Sequence, residues 1–102
     1  MKVQYNVIKN QLHIYYFGEL DECTSQTVKK ATDDILSKNA SVEQVIFNLS
    51  SLTFMDSTGI GMLLGRYKKI VSTGKKAFIE NPTPVVDKVF QISGMYKVMP
   101  KI

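Results

Sequence analysis

The chain has 102 residues, 44% of them apolar, with 13 basic and 9 acidic side chains and a net charge of +4. That is enough for one domain with a modest core, and no run approaches the roughly 20 apolar residues that span a bilayer. A single cysteine, Cys23, excludes an intramolecular disulfide and a zinc cluster.

The start, Met1-Lys2-Val3-Gln4-Tyr5, lacks the apolar stretch of a signal peptide, which with the cysteine usage points to the cytoplasm. Val3 to Ile8 and Gln11 to Phe17 read as two strands joined by a tight turn at Lys9-Asn10. In the second, Leu12, Ile14 and Tyr16 alternate with His13, Tyr15 and Phe17. Gly18 is expected to break that strand, and Asp21 or Thr24 can cap a helix running to about Lys38. Its apolar stripe is Val28, Ala31, Ile35 and Leu36, with Lys29, Lys30, Asp33 and Asp34 facing water. A central strand follows from about Gln44 to Leu49, rich in β-branched and aromatic residues.

Beyond it lies Phe54-Met55-Asp56-Ser57-Thr58-Gly59-Ile60-Gly61. Ile60, Leu63, Leu64, Tyr67, Ile70 and Val71 then recur at three- and four-residue steps, so a helix starts near Asp56 and ends near Ser72 to Gly74. Small oxygen-bearing side chains at such a start accept bonds from unpaired backbone N–H groups. Capping alone leaves two things unexplained. Phe54 and Met55 look like exposed hydrophobes in a loop, and Gly59, Gly61 and Gly65 each cost about 1 kcal/mol against alanine inside a helix. Gly61 and Gly65 share a face and leave it bare, which suits close approach either by another protein or by the helix's own sheet.

Lys76 to Glu80 reads as a further strand, Asn81-Pro82-Thr83-Pro84 as a turn, and the residues after it as a short helix stopping at Gly94. Tyr96 to Met99 could add a last short strand. Alternating strands and helices after a hairpin imply an α/β domain. Its sheet should be mixed and mostly parallel, with four to five strands, an antiparallel N-terminal edge strand and about three helices. Right-handed crossovers place both major helices on one face.

Catalysis finds little support. His13, the one histidine, falls mid-strand, far from any serine-bearing loop, and a partly buried place suits Cys23 better than a reactive one. Gly59-x-Gly61-x-x-x-Gly65 imitates a dinucleotide fingerprint with Glu80 downstream, but Asp56 at the helix start would repel a pyrophosphate. No cofactor, no metal and no enzymatic activity are expected. Lys68, Lys69, Lys75 and Lys76 flank the Thr73-Gly74 turn, where cations suit a helix C-terminus. With Arg66 as the one arginine, base readout is not implied, so no nucleic-acid partner and no membrane are expected.

The stretch from Val45 to Gly61 resembles the signature of the anti-sigma factor antagonists within the sulphate-transporter-and-anti-sigma-antagonist (STAS) domain family. Phe17-Gly18-Glu19-Leu20-Asp21 resembles that family's first strand-to-helix turn, and Val89-Phe90-Gln91-Ile92-Ser93-Gly94-Met95 its terminal pattern. Leu64-Gly65-Arg66-Tyr67-Lys68 is similar to the branch from spore-forming bacteria. The resemblance implies a single domain over residues 1–102 and a further C-terminal helix, a pattern from which the chain departs by stopping at Ile102. It implies a phosphorylated serine at Ser57, the residue after the motif aspartate. The partner-facing positions would be Asp21, Asp56, Thr58, Gly59, Ile60, Gly61 and Gly65.

Implied partners are an anti-sigma factor that is also a serine protein kinase, and a serine phosphatase that resets the phosphorylated form. Binding of the unphosphorylated chain would release the sigma factor, a positive control of transcription in sporulation or stress. The alternative on the same fold is a nucleotide- or lipid-handling subunit of a transport system.

Overall fold

The computed structural model describes residues 1–102 as five strands and three α-helices. β1 (Lys2–Ile8) and β2 (Gln11–Leu20) form an antiparallel hairpin. Lys9 and Asn10 both take positive φ, 48° and 67°, the conformation a two-residue turn needs to match strand twist. β3 (Gln44–Asn48) and β5 (Lys76–Glu80) add in parallel, giving the order β1-β2-β3-β5, while β4 (Leu52–Met55) pairs with the end of β2. The expected mixed, mostly parallel sheet with one antiparallel edge is the sheet observed.

Three expectations need correction. Gly18 does not end β2. It carries φ 114° at a bulge, and the strand runs on to Leu20 to meet β4. Phe54 and Met55 are not a loop but belong to β4, where Phe54 is 42% exposed and Met55 only 2%. Tyr96 to Met99 form no strand: a 3-10 turn spans Met95–Lys97, and a single bridge joins Ile79 to Lys101.

α1 (Ser25–Lys38), α2 (Ser57–Ser72) and α3 (Pro84–Ser93) bury Val28 and Ile35, Ile60, Leu63 and Ile70, and Val86 and Phe90 in one core. That core includes Leu12, Ile14 and Tyr16 of β2 and Val45 and Phe47 of β3. Ile46 is the one buried hydrophobe outside it and faces the other side of the sheet, in register with His13 and Phe78. Inside α1, Thr32 is buried and bonds the Tyr16 hydroxyl at 3.0 Å. Burial drives that phenol well above its ordinary pKa, so Tyr16 stays neutral.

Residues 99–102 are fastened by Asp87 of α3. Its carboxylate accepts from the Tyr96 hydroxyl and from Lys101 Nζ at 3.2 Å, and Lys101 lies over the Tyr96 ring. The Tyr96 bond comes first among the causes that hold the Asp87 pKa below the ordinary carboxylate value. A depressed carboxylate pKa stabilises above the unfolded value and loses that contribution as pH falls through the folded one. Acidification below the carboxylate range should therefore lower the protection factor of the Ile102 amide before those of β3, as hydrogen exchange can measure.

Candidate functional site

Two strand-to-helix turns meet at one end of the sheet. Asp56 follows β4 and caps α2, its Oδ1 accepting from the Gly59 N–H at 2.9 Å. Its Oδ2 accepts from the Glu22 N–H at 3.3 Å in the turn after β2, and its own N–H donates to the Leu20 carbonyl. One carboxylate thus closes a helix and ties two distant loops together. Thr58, the next hydroxyl along, sits too late to cap the helix. An N-cap side chain must precede the first helical residue to reach the N3 amide, and here N3 is Gly59.

The earlier turn is organised by Asp21 and Thr24, but neither side chain caps α1 as expected. Thr24 stands at the N-cap position without a side-chain bond to the helix. Asp21 Oδ1 accepts from the N–H groups of Cys23 and Thr24 at 2.9 and 3.0 Å. Thr24 Oγ1 accepts from the Asp21 N–H at 3.1 Å and donates to the Glu19 carbonyl at 2.9 Å. Cys23 lies exposed on this turn rather than partly buried, its amide bonded to the Asp21 carboxylate.

Ser57 opens α2 and is exposed. Thr58 and Gly61 are exposed beside it, Gly65 lies one turn further on, and Asp21 and Asp56 are partly exposed. Gly59 and Ile60 are buried instead. A Cβ on Gly59 would sit 2.6 Å from the Leu20 carbonyl oxygen, so glycine is what lets α2 press onto the end of β2. At Gly61 and Gly65 a Cβ would meet nothing within 4 Å. Of the two uses open to the bare helix face, close packing on the sheet therefore belongs to Gly59.

A groove between α1 and α2 is lined by Ser25, Lys29, Thr58, Gly61, Gly65 and Arg66. Arg66 Nε lies 3.0 Å from Asp33 Oδ1, out of line for a hydrogen bond but close enough to pair the charges across the two helices. Sequence reasoning placed Lys29 and Asp33 in water and missed Ser25. Ser25 and Lys29 stand four residues apart and so share one helix face, a spacing that could have marked them. No helix is long and apolar enough to cross a membrane, and no group of three His, Cys, Asp or Glu could hold a metal ion.

The model of the STAS domain matches residues 2–102. The chain belongs to the STAS domain family. This STAS domain is 37% identical over 83 residues to the anti-sigma F factor antagonist of Paenibacillus polymyxa, covering 81% of the chain and 70% of the relative. It superposes on the unphosphorylated form of the anti-sigma factor antagonist SpoIIAA with a TM-score of 0.78 and 30% identity, over 99% of this chain and 88% of that one. The phosphorylated form of SpoIIAA, a Bacillus cell fate determinant, gives 0.70 at 30% identity, over 99% and 91%.

Proposed function

We propose that this STAS domain is an anti-sigma factor antagonist switched by phosphorylation of Ser57. The unphosphorylated form binds an anti-sigma factor that is also a serine kinase, and the sigma factor is released. The kinase then modifies Ser57, binding is lost, and a serine phosphatase restores it. The domain itself catalyses nothing. The observation that carries this reading is an exposed serine hydroxyl on the first turn of a helix whose neighbouring loops are locked together by Asp56. The F-type name of the 37% identical relative, with the likeness at Leu64 to Lys68, favours the sporulation branch.

In this scheme Asp21, Asp56, Thr58, Gly61 and Gly65 form the docking surface, while Gly59 and Ile60 position it from within. Incubation with the anti-sigma kinase and ATP, followed by peptide mapping in a mass spectrometer, should find one phosphoryl group, on Ser57. Phosphate on Thr58 in the intact protein would overturn the assignment. Gly65→Ala separates docking from folding. It should raise stability by up to about 1 kcal/mol, as alanine is the better helix former, while weakening the complex. A melting temperature that falls instead would move Gly65 out of the docking surface.

A further inference from the structure

β1 is an open edge of the sheet. Natural edge strands are blunted by proline, charge, bulges or a covering segment. β1 is seven residues long, has no proline, carries Lys2 as its one charged residue, and keeps an unbroken register with β2. The other edge is treated differently. There the Ile79 N–H donates to the Pro100 carbonyl and the Ile102 N–H to the Ile79 carbonyl, both at 2.9 Å, so the last residues cover β5.

The hairpin determines where the free backbone groups of β1 point. A two-residue turn makes Ile8 and Gln11 a hydrogen-bonded pair, and bonded and non-bonded pairs alternate from there. Lys2, Gln4, Asn6 and Ile8 therefore address β2. Val3, Tyr5 and Val7 turn their N–H and C=O groups outward. Their side chains share the face of their partners Tyr16, Ile14 and Leu12, yet Tyr5 and Val7 are 44% and 47% exposed. Three unpaired donors and three unpaired acceptors thus run beside a strip of exposed apolar side chains.

We propose that β1 pairs antiparallel with β1 of a second copy of this chain, about a two-fold axis at Tyr5. The outward groups set the register. Tyr5 then faces Tyr5 of the second copy, Val3 faces Val7, Gln4 faces Asn6 and Lys2 faces Ile8. No charge meets a like charge, β-branched side chains meet each other, and amide meets amide on the opposite face. A shift of two residues either way leaves Val3 or Val7 opposite a residue outside β1. That self-match is why the partner is a second copy rather than an unrelated strand. Ser57 lies on α2, which packs on α1, β4 and β5, so the pairing leaves both switch serines outside the shared edge.

Sedimentation velocity over a concentration series tests this. The mass should rise from the 11.5 kDa of one chain towards twice that value. Tyr5→Pro should remain monomeric with an unchanged melt, because the Tyr5 N–H makes no bond within the hairpin. Val7→Lys gives the same readout should the proline variant fail to fold. In a Cys23→Ser background, a mixture of Gln4→Cys and Asn6→Cys chains should cross-link under mild oxidation, while neither does so alone. Those two positions form a non-hydrogen-bonded pair with Cα atoms about 4.5 Å apart, within disulfide range. A wild-type chain that stays monomeric at millimolar concentration overturns the proposal. So does a dimer that survives both substitutions, or cross-linking that ignores the pairing.

Discussion

Ser57→Asp should weaken the complex with the anti-sigma factor by about a hundredfold or more, while Ser57→Ala should bind within a few-fold of the unmodified protein. Phosphate brings roughly −1.5 to −2 charges and aspartate one of them. The added charge lands beside the Asp56 carboxylate, whose oxygens are already engaged by the amides of Gly59 and Glu22. A partner docking here must strip water from both charges or meet them with its own. Unpaired or like charges at an interface cost several kcal/mol, where about 2.8 kcal/mol corresponds to a hundredfold. The fold itself should not suffer. A negative group on the first turn of α2 gains about 0.3–1 kcal/mol from the helix N-terminus, so the melting temperature of Ser57→Asp should hold or rise. Calorimetric titration with a melt of each variant separates local repulsion from unfolding. Binding lost in step with stability would refute the repulsion mechanism.

Gly59→Ala should be the most damaging small substitution on α2, with a stability loss of about 2 kcal/mol or more. The new methyl would press on a backbone carbonyl and on Leu20 Cγ at 2.9 Å. Overpacking of this kind typically costs 1–3 kcal/mol. The Leu20 carbonyl also accepts from the Asp56 N–H, so any shift that relieves the clash strains the tie between the two turns. For a domain of this size the melting temperature should fall by about 10 °C. Gly61→Ala is the internal control, since its Cβ would enter open space and should leave stability unchanged or improved. A Gly59→Ala protein as stable as wild type would show that α2 can lift from β2 without cost.

Periodicity made most of the fold legible, because each helix and each long strand buries one face. The alternation in β2, the run at β3 and the stripe of α2 all translate directly into core positions. β4 escaped notice. It has four residues, its buried positions Leu52 and Met55 do not alternate, and its last two residues run straight into Asp56 and the helix start, so a loop was the natural expectation. The bulge at Gly18 was hidden for a related reason: glycine signals a break as readily as a kink, and only pairing with β4 decides between them.

At the site, the helix start near Asp56 followed from local sequence. The link from Asp56 to Glu22 could not, since it joins residues 34 apart whose meeting depends on β2 and β4 lying side by side. The same holds for Arg66 and Asp33, which look like solvated charges in sequence and become a pair only once α1 and α2 pack together.

The central claim is that phosphate on Ser57 decides whether the anti-sigma factor is bound. Its most direct test loads the anti-sigma factor with fluorescently labelled sigma factor and adds this chain in its unmodified or Ser57-phosphorylated form. The unmodified chain should displace the sigma factor at concentrations where the phosphorylated chain leaves the complex intact. Equal displacement by both forms would contradict the account.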